Sequence, residues 1–256
     1  MSRFGRLEFN HESEGETHER LVKDEAYHLG EARAAFEQAE FERSLRAYAK
    51  VLEFNPKNAP AWTGQVRALI ELGEYHEAKV WADKALEHFP NEAELLAAKA
   101  VALGRSGDLD GALAFSDASM QERGDSPYLW LARGDVMLAR AEKRADYCFD
   151  KAFALAPRDW FVAWLAARIR YFYQQFVLAL RLVQPAVQSN PDQAALWLQL
   201  GLCQKELGMI APARISFTQA RQLNPRLPEP ARALAQLSQA GRGLQWRGLW
   251  KLLFGR

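Results

Sequence analysis

The clearest segment of this chain reads WLQLGLCQKELGMIAPARISFTQARQLNP from Trp197 to Pro225. Apolar residues recur at helical spacing in its first half, and Gly208 ends that run. The second half is again helical in pattern. Pro212 lies in its first turn, where a missing N–H costs nothing, and Asn224-Pro225 ends it. The segment therefore predicts two helices joined by a tight turn, a hairpin that cannot bury its own apolar face.

The same punctuation returns along the chain with a period near 34 residues. The helix-ending positions are Pro56, Pro90, Gly124, Pro157, Pro191 and Pro225, with spacings of 34, 34, 33, 34 and 34. A row of small residues follows the same period at Ala78, Ala112, Ala145, Ala179 and Ala213. A fixed period of this length is typical of a repeat array, in which each hairpin buries its apolar face against the next. The pattern predicts stacked hairpins rather than one globular core.

The unit resembles the tetratricopeptide repeat, in which Trp is followed by Leu-Gly, then by Ala and Phe, and finally by Pro. In the last unit these positions are held by Trp197, Leu200, Gly201, Ala213, Phe217 and Pro225. The resemblance implies an all-α, right-handed superhelical solenoid of about six hairpins. We place the array at residues 25–225 and a capping helix at 228–240. The units are 25–58, 59–92, 93–126, 127–159, 160–193 and 194–227.

The resemblance also implies where a partner would bind. In this family the first helix of each hairpin lines a concave groove that holds a peptide or a helix. The groove-facing candidates are Leu29, Arg33, Phe36, Thr63, Arg67, Ile70, Val101, Arg105, Tyr128, Leu131, Asp135, Leu138, Phe161, Trp164, Arg168, Tyr171, Leu198 and Leu202. Isolated arginines in an apolar lining suit an apolar protein segment with acidic residues, because arginine binds carboxylates with two hydrogen bonds. We therefore expect a non-catalytic scaffold or adaptor.

Unit five is unusually aromatic. Seven rings fall between Trp160 and Phe176, interleaved with Arg168 and Arg170. Aromatic residues with arginine are enriched at binding hot spots, and such rings also resemble a platform for stacking single-stranded nucleic acid bases. Packing inside the hairpin core is the alternative. A formal net charge of +1 argues against nucleic acid. The register of this unit is ambiguous by one residue, which leaves open which rings are exposed.

Both ends differ in composition from the array. Residues 1–24 are acidic and poor in apolar side chains, which favours disorder. Residues 241–256 are basic and aromatic, and one helical face of this tail carries Trp246, Leu249, Trp250 and Leu253. That face suits a cap over the open end of the array, or an amphipathic foot for a membrane surface or a partner groove. A peripheral membrane or secretion-type assembly adaptor is therefore the alternative function.

The sequence offers no catalytic constellation. Cys148 and Cys203 lie in different units without metal-ligand spacing, as expected for free thiols in a reducing compartment. The chain has no glycine-rich phosphate loop, and its five histidines show no ligand spacing. We therefore expect no enzyme activity, no catalytic residue, no cofactor and no metal. The expected location is the cytoplasm, peripheral to a membrane if the tail anchors the protein.

Overall fold

The protein folds as a row of antiparallel helical hairpins. A computed structural model describes residues 24–122 and 125–238. Its helices are α1 (Glu25–Glu37), α2 (Phe41–Phe54), α3 (Ala59–Glu71), α4 (Tyr75–His88), α5 (Ala93–Ser106), α6 (Leu109–Gln121), α7 (Pro127–Ala139), α8 (Ala145–Leu155), α9 (Trp160–Phe172), α10 (Phe176–Ser189), α11 (Ala194–Glu206), α12 (Ile210–Leu223) and α13 (228–238). Each odd-numbered helix up to α11 forms a hairpin with the helix after it. The predicted all-α repeat solenoid is confirmed.

The predicted leader and tail lie outside this description. Residues 1–23 of the leader are not among the described residues, and neither are residues 239–256. The tail positions Trp246, Leu249, Trp250 and Leu253 therefore stay predictions from the sequence. The unit boundaries stay predictions as well.

The described part of the capping helix is α13. Leu227, Ala233 and Leu237 are buried in the same hydrophobic core as the α11–α12 hairpin. An array leaves the apolar face of its last unit without a neighbour, and a terminal element has to cover it. Helix α13 removes this surface from water.

Each of the six hairpin turns holds one residue in the left-handed backbone region. Glycine occupies three of these positions, at Gly73, Gly107 and Gly208. The other three carry a side chain, with φ of 60° at Ala39, 55° at Ala141 and 58° at Gln174. A side chain in this region costs about 1–2 kcal/mol. The stack therefore imposes the same turn even where the sequence lacks glycine.

Side-chain caps begin the first helix of four hairpins. Asp24, Asn58, Ser126 and Asp159 each accept a hydrogen bond from a backbone N–H in the first turn of α1, α3, α7 and α9. These bonds satisfy donors that have no partner within the helix. The caps help to set the point at which each inner helix starts.

The motif tryptophans tie hairpins to the turn before them. The indole N–H of Trp62 donates to the carbonyl of Pro56 at 2.9 Å, and that of Trp197 donates to the carbonyl of Pro191 at 2.6 Å. In unit five the ring lies one position later, at Trp164. One residue turns a helix by about 100°, so Trp164 points toward the axis of the array instead. It is fully buried there, which resolves the register of this unit.

Close approach of the helices in the last hairpin depends on a glycine. Gly201 in α11 faces the ring of Phe217 in α12, and both residues are buried. A Cβ at position 201 would lie 2.7 Å from two atoms of that ring. The space beside the ring is therefore closed to any larger residue.

We expect Gly201→Ala to lower the free energy of unfolding by about 1–3 kcal/mol, because the ring has to shift in a packed core. Gly30→Ala is the matched control. A Cβ at Gly30 in α1 meets nothing within 4 Å, and alanine there should stabilise the helix by about 0.5–1 kcal/mol. Urea denaturation followed by circular dichroism compares the two variants. Equal changes in the free energy of unfolding for the two variants would contradict the close packing of Gly201 on Phe217.

The array curves back on itself until its two ends meet. Asn224, directly after α12, donates from Nδ2 to Glu40 Oε1 at 2.7 Å and to Gln38 Oε1 at 3.3 Å. Both acceptors belong to the turn between α1 and α2. Residues of α1, α3, α5, α7 and α9 surround one small space of about 20 Å³. The first helices of the hairpins therefore form the inner wall of a ring.

Candidate functional site

Two larger cavities open on this inner wall. The α1–α3 cavity has a volume of about 440 Å³ and is lined by Arg33, Phe36, Glu37, Tyr48, Pro60, Thr63, Gly64, Arg67, Glu92, Glu94 and Phe161. The α9–α11 cavity has a volume of about 620 Å³ and is lined by Glu71, Arg105, Arg168, Tyr171, Phe172, Gln174, Phe176, Gln199, Leu202 and Glu206. The small axial space lies between these two sets of residues and shares members with both.

Most of the residues predicted to face the groove line these spaces. Fourteen of the eighteen belong to one of the three linings. The four that line none of them are Leu29, Leu138, Trp164 and Leu198. Eight of the eighteen are buried, namely Phe36, Thr63, Ile70, Val101, Leu131, Asp135, Trp164 and Leu198. The middle of the expected groove is therefore filled by the protein's own side chains.

Four aromatic residues, Phe36, Phe41, Phe161 and Trp164, form what we call the axial cluster. Phe41 stacks on Trp164 with ring centroids 6.2 Å apart. Phe36 lies edge-on to Phe161 at 6.1 Å and to Trp164 at 6.4 Å. Phe36 and Phe41 belong to unit one, and the other two rings belong to unit five. Aromatic pairs of this kind add to the energy of burial, so the axial cluster fastens the two units together.

Arg168 strengthens this contact through charge. Its Nε donates to Glu71 Oε2 in unit two at 2.6 Å, and its guanidinium carbon lies 4.8 Å from the ring centroid of Phe41. Burial alone would raise the pKa of Glu71, but Arg168 and then Arg105 outweigh it and hold that pKa below its usual range. Glu71 is therefore ionised and paired, and Arg168 is occupied within the ring.

A second buried network centres on Asp135. Arg105 donates to Asp135 Oδ2 from Nη2 at 2.6 Å and from Nε at 3.1 Å. The hydroxyl of Tyr173 donates to Asp135 Oδ1 at 2.7 Å. Burial, followed by the negative charge of Asp135, raises the pKa of Tyr173. The phenol therefore stays protonated and remains a donor at neutral pH.

The inner arginines are thus not the isolated charges that the sequence suggested. Arg67 lies 3.9 Å from a carboxylate oxygen of Glu94, and its guanidinium carbon is 3.8 Å from the ring centroid of Tyr128. Arg105 and Arg168 are paired as described above. Of the four arginines that line the cavities, Arg33 is the exposed one.

A tetratricopeptide repeat family model matches residues 28–102. Residues 28–102 therefore resemble tetratricopeptide repeats in sequence, and the helical hairpins continue through the described part of the chain. No curated protein sequence matches the chain. Many solved structures share its fold, and the identities are low enough that the likeness concerns the fold alone.

Three solved structures illustrate this likeness of fold. A tetratricopeptide repeat protein from Parabacteroides merdae ATCC 43184 has a TM-score of 0.55 at 16% identity, covering 86% of each chain. The human IFIT1 dimer with m7Gppp-AAAA has a TM-score of 0.54 at 18% identity, covering 92% of this chain and 61% of that one. The APC/C hetero-tetramer Cut9–Hcn1 has a TM-score of 0.50 at 16% identity, covering 88% of this chain and 44% of that one.

The structure adds one inner row of residues that the sequence prediction did not include. The central groove position of each first helix is held in turn by Arg33, Arg67, Val101, Asp135, Arg168 and Leu202. The residues four positions later are Glu37, Glu71, Arg105, Ala139, Phe172 and Glu206. All but Ala139 line one of the three spaces. Residues four apart share one face of a helix, so extending the predicted stripe by one turn finds this row. Only Arg105 was named in advance.

The inner face of this repeat protein is richer in acids than in bases. Four arginines and six carboxylates line the three spaces together. A negative lining disfavours a ligand made of phosphates, because like charges repel. The paired arginines add little attraction for such a ligand.

Membrane spans and metal-binding clusters were also considered for the described parts of this repeat protein. Among these residues, no helix is both long and apolar enough to cross a bilayer. The same residues bring together no three side chains that could hold a metal ion. Cys148 and Cys203 are buried free thiols. Burial raises the pKa of Cys203 to about 11, so its thiol stays protonated.

Proposed function

We propose that this protein is a non-catalytic scaffold that holds an apolar segment of a partner protein in the α9–α11 cavity. Tetratricopeptide repeats typically serve as protein-protein interaction scaffolds rather than as enzymes. The observation that carries the proposal is a cavity of about 620 Å³ on the inner wall, with aromatic rings at its surface. Its size suits a few side chains of an extended segment.

Aromatic surface supports an apolar ligand. Phe172 is 40% exposed at the end of α9, and Tyr171, Phe176 and Leu202 are half-buried beside the same cavity. Large side chains that are left partly in water bury further area when a ligand covers them, at about 25 cal/mol per Å². Aromatic anchors of this kind are enriched at binding hot spots.

One glutamine amide supplies polar groups for a bound main chain. Gln174 lines the cavity and is exposed, and an amide can donate to a carbonyl and accept from an N–H at once. Gln174 also stands in the left-handed region, where Gly208 occupies the equivalent turn of the next unit. A side chain kept at a strained position beside a cavity is consistent with a binding role.

An apolar segment fits this cavity better than an acidic one. Arg168 is already paired with Glu71, and Glu206 adds a further carboxylate to the lining. A carboxylate on the ligand would have to displace an existing pair while facing like charge. We therefore propose apolar side chains as the recognised feature, and not the acidic residues that the sequence suggested.

The similar structures include both protein and nucleic acid complexes. Cut9 is solved together with Hcn1, and IFIT1 is solved with m7Gppp-AAAA. The excess of carboxylates on the inner face favours the protein partner for this chain. The fold alone does not decide between such ligands.

Photo-crosslinking tests the proposal. We expect p-benzoylphenylalanine in place of Phe172 to crosslink the full-length protein to one defined segment of a partner in a native lysate, identified by mass spectrometry. Tyr147, which is 57% exposed on α8, is the control position. The same crosslinks from both positions, or none from position 172, would overturn the proposal.

A glycine variant then separates binding from stability. We expect Gln174→Gly to weaken binding of the crosslinked segment several-fold, since one amide is lost, without destabilising the fold. Relief of the left-handed strain should raise the free energy of unfolding by up to about 1 kcal/mol. Ala141→Gly relieves the same strain in another turn and should leave binding unchanged. Equal effects of the two variants on binding would contradict the role of Gln174.

A further inference from the structure

A buried hydroxyl in the α1–α3 cavity has no partner. Thr63 is 4% exposed, and its Oγ1 makes no hydrogen bond among the described residues. Thr63 lines the cavity of about 440 Å³. Leaving a buried polar atom unpaired destabilises the folded state, and most such atoms in folded proteins are satisfied. The orphan oxygen therefore points to a ligand that carries an N–H or O–H donor.

A second hydroxyl belongs to the same lining. Tyr48 is buried and lines the cavity, and burial raises the pKa of its phenol. The neutral phenol keeps lone pairs that accept hydrogen bonds. Its ring lies directly against Gly64, where a Cβ would come within 2.2 Å of Cζ. Tyr48 therefore packs closely on α3, and its hydroxyl belongs to the same cavity lining as Thr63.

The charge of the lining is negative. Glu37, Glu92 and Glu94 face Arg33 and Arg67. Arg67 approaches Glu94 at 3.9 Å, and Ser126 donates to Glu94 at 2.7 Å. Glu37 and Glu92 have no ion-pair partner among the described residues.

The pKa values of Glu37 and Glu92 are both raised, as expected where positive charge is scarce. Burial, and then the charge of Asp159, raise the pKa of Glu37, with Arg33 offsetting part of the effect. Burial and the charge of Glu94 raise the pKa of Glu92. A cation placed beside either carboxylate would relieve the repulsion and favour its ionised form.

Apolar groups complete the wall. Phe36 and Phe161 of the axial cluster line the cavity, together with Pro60 at the start of α3. Lysine and arginine side chains bury an apolar stem while their charged end reaches polar groups. The α1–α3 cavity combines both kinds of surface.

We propose that the α1–α3 cavity binds a lysine or arginine side chain of a partner polypeptide. Its stem packs on Phe36 and Phe161, and its N–H groups donate to Thr63 Oγ1 and to the carboxylates of Glu37 and Glu92. The polypeptide origin of the side chain rests on the proposed scaffold function. The recognition of a cation rests on the cavity alone.

Threonine methyl groups give a direct readout. The chain has three threonines, Thr17, Thr63 and Thr218, so a full-length protein with labelled threonine methyl groups shows few signals. The probes are Nα-acetyl-lysine amide and Nα-acetyl-arginine amide, with the norleucine amide as the uncharged match for lysine. We expect saturable shifts of the Thr63 methyl with both cationic probes, no shift of Thr218, and at least tenfold weaker binding of norleucine.

Two variants test the carboxylates. The double substitution Glu37→Gln and Glu92→Gln should weaken binding of the lysine probe at least tenfold, whereas Glu77→Gln, at an exposed position of α4, should not change it. Circular dichroism and urea denaturation establish that the double variant is folded. Equal binding of norleucine and lysine, or unchanged binding by the folded double variant, would overturn the proposal.

Pentylamine distinguishes a free amine from the lysine side chain of a polypeptide, because it carries the cation but no backbone amides. Weaker binding of pentylamine than of the lysine probe supports a polypeptide ligand, because the backbone amides then contribute. Tighter binding of pentylamine would overturn that assignment. Loss of the crosslink from position 172 with an intact Thr63 response would count against the scaffold function in the α9–α11 cavity and not against this site.

Discussion

Replacing Trp164 by alanine is expected to lower the free energy of unfolding by about 3–5 kcal/mol, the usual cost of removing a large aromatic side chain from a core. Trp164 is fully buried and contacts Phe36 and Phe41 of unit one across the axis. Its loss removes the centre of the axial cluster and the cation–π contact that Arg168 makes with its ring. Units one and five should therefore come apart, and the ring should open.

The loss of stability and the opening of the ring can each be measured on the full-length protein. Urea denaturation gives the stability, and small-angle X-ray scattering gives the radius of gyration, which should increase in the variant. Trp197→Ala is the matched control, because this tryptophan is half-buried and donates only to the turn beside it. The Trp197→Ala variant should lose less free energy of unfolding than Trp164→Ala and should keep the radius of gyration unchanged.

The outcome distinguishes a closed ring from an open array. An unchanged radius of gyration in a folded Trp164→Ala variant would contradict the role of the axial cluster in closing the ring. A loss of stability with no change of shape would place the effect of Trp164 within its own hairpin. Equal effects of the Trp164 and Trp197 variants on stability and on the radius of gyration would also contradict the role of the axial cluster.

Replacing Asp135 by alanine is expected to lower the free energy of unfolding by about 3–5 kcal/mol as well, because the buried charge of Arg105 loses the carboxylate that accepts its hydrogen bonds. Asp135 is 1% exposed and accepts from Arg105 and from the hydroxyl of Tyr173. The free energy of unfolding from urea titrations measures the loss. Asp117→Ala is the control, since Asp117 pairs with Arg133 at the surface, where such pairs are worth about 0–1 kcal/mol.

A combined variant tests the reason for this cost. Arg105→Met, Asp135→Leu and Tyr173→Phe together replace the network by apolar groups, and Arg168 still pairs with Glu71. Such replacements are often neutral or stabilising, so the triple variant should recover most of the stability lost in Asp135→Ala. A triple variant as unstable as the single one would mean that shape, rather than charge, holds this site.

The groove assignment shows how far local periodicity reaches. Arg168 was placed on the inner face because it follows the helical stripe of α9. Its partner Glu71 lies 97 residues earlier in the chain, and no local pattern connects the two. Phe41 was not among the groove candidates, because it begins the second helix of its hairpin. Contacts across the axis bring both residues to the site.

In unit five, the sequence alone does not determine which aromatic rings face the core. The sequence left open which of its rings are buried, since a shift of one residue moves a side chain by about 100° around the helix. The structure buries Trp164 and leaves Phe172 40% exposed. The deciding partner is Phe41 of unit one, whose ring stacks on Trp164. The choice between core and surface was therefore made by a distant unit.

The repeat period was sufficient to predict the helical hairpins and their order along the chain. These features depend on turns, caps and neighbour contacts that lie within about one unit of each residue. Ring closure, the filled centre of the groove and the two remaining cavities depend on tertiary structure. Small rotations between neighbouring units add up over the whole array, and the volumes of all the inner side chains set their sum. No single unit contains that information, so the shape of the binding surface emerges only when six hairpins are stacked together.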